Sequence, residues 1–126
     1  MSLKKNVAAL EALIAATPFV AATSLSYEER PPTAGLIKGA IVFTDGSQLD
    51  FKESLITQPT TLVIKYAYNY RLENHLLFRY DNASDPAARN LATYPSHKHV
   101  SSGISAAEKP SLEQVLKEIV LQLKFP

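Results

Sequence analysis

Residues 78–100 read FRYDNASDPAARNLATYPSHKHV and bring several chemically active side chains into one short stretch. The stretch begins as a strand, turns at Asp81-Asn82, crosses a loop with two prolines and ends in His97-Lys98-His99. Elsewhere polar and apolar side chains alternate as a packed domain requires, and departures from that pattern are where function is expected. We therefore expect the functional site in this stretch.

Alternation of apolar and polar residues predicts five strands, at Phe19–Glu29, Leu36–Phe43, Leu49–Leu55, Leu62–Arg71 and His75–Tyr80. Asp45-Gly46 supplies the positive φ angles of a tight hairpin turn between the second strand and the third. Because every connection between these strands is short, the sequence predicts an antiparallel meander. The segment from residue 82 to residue 107 is expected to be a long loop, and such loops are often functional.

Two amphipathic helices are predicted outside the strands. The first is capped by Ser2, ends before Pro18 and places four apolar residues on one face: Leu3, Val7, Leu10 and Ile14. The second is capped by Ser111, which follows Pro110. Among the strands, the first is ended by Pro31-Pro32. The predicted fold class is α+β, a single domain over residues 1–126, with a five-stranded antiparallel meander sheet and both terminal helices packed on one face.

Composition and missing motifs exclude several functional classes. The chain is 46% hydrophobic and 20% charged, as in ordinary soluble domains, and its net charge of +1 gives no global nucleic-acid signature. It has no cysteine, which excludes disulfides and cysteine zinc sites. No phosphate-binding glycine loop, nucleophile elbow or HExxH motif is present. Glu11 interrupts the apolar N-terminal run and argues against a signal peptide, so we predict a cytoplasmic protein without a membrane partner.

His97 and His99 lie two residues apart. In an extended segment this spacing puts both imidazoles on one side, where they could share a metal ion or act as acid and base. The alternative is a polar loop with two exposed histidines. A metal site would need a third ligand such as Asp81, Glu53 or His75, and no spacing selects one of them. The sequence therefore predicts neither a metal nor another cofactor.

Arg79 and Asp81 share one face of the fifth predicted strand. They could form a surface ion pair worth about 0–1 kcal/mol. Alternatively, Arg79 could hold a phosphate while Asp81 orients a histidine. Both interpretations stay open from the sequence alone.

The fourth predicted strand carries a ladder of three tyrosines on one side, Tyr66, Tyr68 and Tyr70. Such a ladder is typical of a packed core, and it could also serve as a stacking platform for single-stranded nucleic acid. Glu53 lies on the apolar face of the third strand, where an unpaired carboxylate would be costly. We expect Glu53 to be partly buried and paired with Arg79 or with a tyrosine of the fourth strand.

Two sequence blocks, FRYDNA at residues 78–83 and P-x-H-K-H at residues 95–99, together resemble the TumE family of prokaryotic toxin–antitoxin proteins. The resemblance extends to the Asp45-Gly46-Ser47 turn, Tyr66-Ala67-Tyr68 and the closing helix, and covers residues 35–119. It implies further histidines in two places where this chain has Ser84-Asp85-Pro86 and Ser96.

The resemblance implies a toxin component of a prokaryotic toxin–antitoxin module, partnered by a cognate antitoxin of the DNA-binding kind. From the residues we infer a candidate ribonuclease that cleaves RNA phosphodiesters without a metal, which requires a base, an acid and a cation. The predicted catalytic residues are His97, His99, Arg79 and Asp81. The residues predicted to bind substrate are Lys98, Tyr68, Tyr80 and Asn82.

A second hypothesis is a non-catalytic interaction module that binds an antitoxin or another partner through its sheet. The absence of the histidines that the resemblance implies favours it. The Leu76-Leu77-Phe78 segment is apolar on both faces and unguarded, so we expect the edge of the fifth strand, or the uncovered sheet face, to be buried in a homodimer or against the antitoxin.

Overall fold

The computed structural model describes residues 3–30 and 32–126 and has two helices and one antiparallel sheet. Helix α1 spans Leu3–Ala15 and helix α2 spans Leu112–Lys124. The strands are β1 Val20–Arg30, β2 Ala34–Phe43, β3 Gln48–Ile56, β4 Leu62–Leu72, β5 His75–Asp81, β6 His97–Val100 and β7 Gly103–Ala106. The α+β class is confirmed. The predicted N-cap at Ser2 and the predicted break at Pro31 lie outside the described residues.

The sheet is a meander in which each strand pairs with the next, from β1 to β7. The prediction of five strands was wrong, because the described residues form seven. Strands β6 and β7 arise from the segment expected to be a loop. Each has only four residues, too few to display a clear alternation, and β6 is fixed by pairing with β5. Consequently β5 is an inner strand, and the expectation that it forms an edge was also wrong.

One face of the sheet carries the core. Residues paired across the strands line up in rows on this face, for example Ile41, Leu49, Tyr70 and Phe78. Both helices contribute side chains to the same core cluster, among them Leu3, Val7 and Ile14 from α1 and Leu112, Val115, Leu116 and Ile119 from α2. Burying a side chain such as Phe78 contributes about 1.5–3 kcal/mol. Both helices therefore cover a single face, as the sequence predicts.

Helix α2 begins with a capping box. The Oγ atom of Ser111 accepts a hydrogen bond from the backbone N–H of Gln114 at 3.1 Å, and the side-chain Oε1 of Gln114 accepts one from the backbone N–H of Ser111 at 2.9 Å. These two bonds satisfy donors that a helix N-terminus leaves free. The cap predicted from the sequence is confirmed. Within the described residues, no helix is both long and apolar enough to cross a membrane.

Glu53 and Tyr68 form a buried polar pair within the core. The side chain of Glu53 is buried, and the hydroxyl of Tyr68 donates a hydrogen bond to its Oε2 at 2.5 Å. Burial, reinforced by the charge of Glu53, raises the pKa of Tyr68 far above its ordinary value. The predicted burial and partner of Glu53 are confirmed. Tyr66, Tyr68 and Tyr70 are all buried, so the tyrosine ladder is core packing.

The opposite face of the sheet, here called the open face, carries mostly polar side chains. One row of paired residues crosses it from β2 to β6 and contains Lys38, Lys52, Ala67, Asp81 and His97. After β5 the chain makes a 3₁₀ turn at Pro86–Ala88, where Asp85 lies beside His99 of β6. This segment partly covers the open face at the end of the sheet that holds Asp81.

Candidate functional site

Asp81, the last residue of β5, is the centre of a polar cluster on the open face. Its Oδ2 accepts a hydrogen bond from Nε of Arg79 at 2.8 Å, and its Oδ1 accepts one from the backbone N–H of Ala83 at 2.9 Å. The Nε2 atom of His97 lies 3.1 Å from Oδ1, and that of His99 lies 3.8 Å from Oδ2. We call Arg79, Asp81, His97 and His99 the Asp81 cluster. It contains the four residues that the sequence predicts as catalytic.

The pairing of β5 with β6 brings these four side chains together. In strands, residues two apart face the same side, so Arg79 joins Asp81 on one strand and His97 joins His99 on the other. The register places Arg79 opposite His99 and Asp81 opposite His97. The two imidazole rings meet edge to face, with 4.7 Å between their centroids. As predicted, both imidazoles lie on one side of an extended segment. That segment is strand β6 and not part of a loop.

His97 is buried completely, and its two ring nitrogens have different surroundings. Nδ1 lies 2.6 Å from the backbone carbonyl oxygen of Pro95. A carbonyl oxygen only accepts hydrogen bonds, so Nδ1 must carry a proton. The contact of Nε2 with Asp81 lacks hydrogen-bond geometry, which leaves Nε2 without a hydrogen-bond partner. His97 therefore presents an unpaired nitrogen inside the cluster.

Arg79 and His99 are the members of the cluster that solvent reaches. Their side chains are 41% and 29% exposed, whereas that of Asp81 is 4% exposed. The Nε2 atom of His99 also lies 3.8 Å from Oδ2 of Asp85. An incoming ligand would therefore contact Arg79 and His99 directly, with Asp81 and His97 behind them.

A shallow pocket of about 250 Å³ adjoins the cluster on the open face. Three cationic side chains line it, Lys52 from β3, Lys65 from β4 and Arg79 from β5, together with Ser54 and Asn82. Lys52 and Lys65 are not among the site residues predicted from the sequence. The sequence could have indicated them by their position, because both lysines alternate with the apolar residues of their strands and so point to the uncovered face.

Asn82 lines this pocket, but its amide is tied to β4. Its Oδ1 accepts a hydrogen bond from the backbone N–H of Tyr66 at 3.1 Å, and its Nδ2 donates to the carbonyl oxygen of Ile64 at 3.1 Å. Asn82 thus extends the pairing between β4 and β5 beyond Asp81. It is the only residue predicted to bind substrate that the described structure places beside the cluster on this face.

The other three residues predicted to bind substrate lie on the helix-covered face. Lys98 lies between His97 and His99 in β6 and so points the opposite way, where its Nζ is 2.8 Å from Oε2 of Glu118 on α2. The hydroxyl of Tyr80 donates to Oε1 of Glu118 at 2.7 Å. Tyr68 is buried against Glu53. The structure does not bring Lys98, Tyr80 or Tyr68 to the Asp81 cluster.

Lys98 has a structural partner where it lies. Burial disfavours its charged form, but the hydrogen bonds that its ammonium group donates to Glu118 and Tyr80 outweigh that effect, and the pKa of Lys98 is raised. Its ammonium group also lies over the rings of Phe78 and Tyr80, 5.2 Å and 4.9 Å from their centroids. Lys98 therefore links β6 to α2.

The donor atoms and charges of the Asp81 cluster determine which ligands it can bind. Asp81, His97 and His99 each offer an atom that can bind a metal ion, and these atoms lie within 4.8 Å of one another. Arg79 and the neighbouring lysines offer positive charge to an anion. The arrangement can therefore accept a proton, hold a cation, or bind a phosphate at its solvent-facing side.

The chain matches a known protein family. A family model described as Toxin TumE matches residues 10–123, which include the Asp81 cluster and every strand of the sheet. No curated protein and no solved structure matches the chain.

Proposed function

This chain belongs to the TumE toxin family, and we propose that it is the toxin of a prokaryotic toxin–antitoxin module that cleaves RNA at the Asp81 cluster. The observation that carries the proposal is the convergence of Arg79, His97 and His99 on a single buried carboxylate. Family membership supports the toxin role and an antitoxin partner. The assignment of RNA as the target, the DNA-binding character of the antitoxin and a cytoplasmic site of action are parts of the proposal.

The pocket beside the cluster supports an RNA backbone as the ligand. Lys52, Lys65 and Arg79 place three positive charges around about 250 Å³. Cavities for drug-sized ligands measure about 300–1,000 Å³, so this one suits a phosphate better than a whole nucleotide. Arginine and lysine are the usual partners of phosphate oxygens. A phosphodiester held there would lie against Arg79 and Asp81, and Nε2 of His99 is 3.8 Å from the carboxylate of Asp81.

The proposed chemistry is metal-independent transfer of the phosphoryl group to a neighbouring hydroxyl. His99 takes the proton of the ribose 2′-hydroxyl, and O2′ then forms a bond to phosphorus. Arg79 stabilises the charge on the phosphorane, and the bond from phosphorus to O5′ breaks. Solvent supplies the proton of the leaving 5′-oxygen. The products are a 2′,3′-cyclic phosphate and a 5′-hydroxyl.

In this proposal two residues have roles different from those predicted from the sequence. His97 is completely buried, so it cannot exchange a proton with RNA and acts here as a positioning residue that contacts Asp81. Lys98, which the sequence predicts to bind substrate, points to the other face of the sheet, so Arg79 with Lys65 or Lys52 beside it supplies the cation for the phosphorane. His99 is then the histidine that touches substrate.

Expression of the chain alone in a bacterium tests the proposal. We expect growth arrest that His99→Ala abolishes and that His75→Ala leaves intact, because His75 is an exposed histidine at the start of β5. With purified protein, His99→Ala should slow RNA cleavage by about 10²–10⁴-fold, the usual contribution of a general acid or base.

A substrate control tests the mechanism separately. An RNA with a 2′-deoxyribose at the cleaved position should resist the protein, because the attacking hydroxyl is missing. Growth arrest that survives substitution of both His97 and His99 by alanine would remove the catalytic claim.

A second candidate function is a non-catalytic module that binds its partner through the sheet. The observation that favours it is β1, an edge strand of eleven residues with most of its side chains exposed. An exposed edge can accept a strand from another chain, and main-chain hydrogen bonds then supply the affinity. Growth arrest independent of the Asp81 cluster would support this function.

A further inference from the structure

The Nε2 atom of His97 is a buried polar atom without a hydrogen-bond partner. Most buried polar atoms in proteins have a partner, and an unpaired one is destabilising. The atom lies on the open face inside the Asp81 cluster, and its side chain is fully buried, so solvent does not satisfy it. The unpaired nitrogen therefore calls for a ligand within the cluster.

The tautomer of His97 indicates what kind of ligand that is. Because Nδ1 donates its proton to the carbonyl of Pro95, the neutral ring carries its lone pair on Nε2. That lone pair lies 3.1 Å from a carboxylate oxygen of Asp81. Two electron-rich atoms this close repel each other unless a proton or a metal ion lies between them, and the contact lacks the geometry of a hydrogen bond. Metal-bound histidines commonly have this arrangement, with the second ring nitrogen donating to a backbone carbonyl.

His99 supplies a third donor atom. Its Nε2 lies 3.8 Å from the other oxygen of Asp81. Within residues 3–30 and 32–126, Asp81, His97 and His99 form the one group of three potential metal ligands whose donor atoms come this close together. Tetrahedral zinc with bonds of about 2.0–2.1 Å separates its ligand atoms by about 3.3 Å. With one donor atom from each residue, the three atoms lie within 4.8 Å of one another, so they must draw together when an ion binds.

The neighbours of Asp81 hold its carboxylate in place. Nε of Arg79 donates to Oδ2 and the backbone N–H of Ala83 donates to Oδ1, so each oxygen keeps a lone pair for another partner. Partners of this kind orient metal ligands and strengthen binding. The positive charge of Arg79 opposes a cation, but the carboxylate of Asp85, 3.8 Å from Nε2 of His99, offsets it.

We propose that Asp81, His97 and His99 bind a divalent transition-metal ion, with zinc as the expected ion. Two imidazoles and one carboxylate suit zinc and its neighbours, whereas magnesium and calcium require sites made of oxygen ligands. Three protein ligands also leave a coordination position for water. This assignment departs from the cofactor-free site that the sequence predicts.

The binding proposal stands apart from RNA cleavage and is measured without RNA. If the cleavage proposed above takes place, a bound ion occupies Nε2 of His99, the atom that takes the proton from the 2′-hydroxyl. Zinc should then inhibit cleavage, and a chelator should restore it. Failure to observe any cleavage leaves the binding result intact, and failure of binding leaves the metal-free mechanism intact.

Calorimetric titration of the full chain with zinc, after removal of metals by a chelator, tests the proposal. We expect one zinc ion per chain. Loss of a residue that only orients a metal ligand lowers metal affinity by about 10–100-fold. His99→Ala removes a ligand itself, so it should weaken zinc binding by at least about 100-fold. Asp81→Asn should weaken it as well. Cobalt, used in place of zinc, should give visible absorption bands that His99→Ala removes.

His75→Ala is the matched control, since it removes the third histidine of the chain from an exposed position outside the cluster. It should leave the affinity and the stoichiometry for zinc unchanged. Circular dichroism of each variant without metal checks that it is folded, and His99→Gln replaces His99→Ala if the latter is not. Zinc binding that His99→Ala and Asp81→Asn leave unchanged, or the absence of stoichiometric binding by the native chain, would overturn the proposal.

Discussion

Tyr68 and Glu53 form a buried hydrogen-bonded pair that contributes to stability. Tyr68 donates to a buried carboxylate, and Tyr68→Phe would leave that carboxylate without the bond. An acceptor left unpaired in the core costs about 1–3 kcal/mol, more if it is charged. We therefore expect Tyr68→Phe to lower the free energy of unfolding by at least about 1–3 kcal/mol at neutral pH, as measured by urea denaturation. Tyr27→Phe, at an exposed tyrosine, should change it little.

The raised pKa of Tyr68 also predicts how the free energy of unfolding depends on pH. Burial raises the pKa of Tyr68 above its ordinary value of 10.0 in the folded state. Below pH about 10 both the folded and the unfolded chain keep the proton, and the full stability is present. As the pH rises further, the unfolded chain loses the proton first, so stability falls. Urea denaturation above pH about 10 should show a shallower decline for Tyr68→Phe than for the native chain. Equal declines would contradict this assignment.

The four residues of the Asp81 cluster could be predicted from the sequence, but the predicted place of Lys98 beside them was wrong. Alternation along a strand puts His97 and His99 on one side, and the same rule puts Lys98 on the other, so the three could not share a site. The rule also separates Tyr80 from Asp81. The unpaired nitrogen of His97 could not be predicted, because it depends on the position of the Pro95 carbonyl after a loop of irregular structure.

At the scale of elements, the strands found from the sequence are the long ones. Strands β1 to β5 contain seven to eleven residues, which is long enough for an alternation of apolar and polar residues to be recognised in the sequence. Strands β6 and β7 contain four residues each. Strand β6 pairs with β5 and β7 pairs with β6, and these contacts specify the two strands more than their local sequence pattern does. Short strands have this property in general, because side-chain packing on neighbours determines them more than intrinsic preference does.

Strand β2 contains a glycine that gives room to an aromatic ring of β3. A Cβ atom added at Gly39 would lie 2.3 Å from ring atoms of Phe51, which is a buried core residue. Overpacking of this kind costs about 1–3 kcal/mol. We expect Gly39→Ala to lower the free energy of unfolding by about that amount. Lys38→Ala, at the adjacent exposed position, is the control and should have a smaller effect; a neutral Gly39→Ala would show that Phe51 moves freely.

For the whole molecule, the two edges of the sheet differ in length. Strand β1 presents eleven residues and β7 only four. Since a longer edge offers more unpaired backbone groups, we predict that β1 pairs with β1 of a second copy of the chain. Sedimentation of the purified chain at micromolar concentration should detect a homodimer.

Two matched substitutions distinguish the edges. A charged side chain on an edge discourages pairing, so Ser24→Lys in β1 should give a monomer. Ser105→Lys, at an exposed position of β7, should leave the dimer intact. A native chain that sediments as a monomer, or a dimer that only Ser105→Lys dissociates, would contradict the prediction.

The consecutive pairing of all seven strands has a consequence for synthesis on the ribosome. Each strand pairs with its predecessor, so the sheet can grow in the order in which the chain emerges, with contacts that are local in sequence. Asp81 and Arg79 emerge with β5, but the histidines arrive with β6, after an intervening segment of fifteen residues, 82–96. The nascent chain therefore carries an incomplete site through most of its translation. A toxin built in this order acquires its histidines only after most of the sheet that supports them is available.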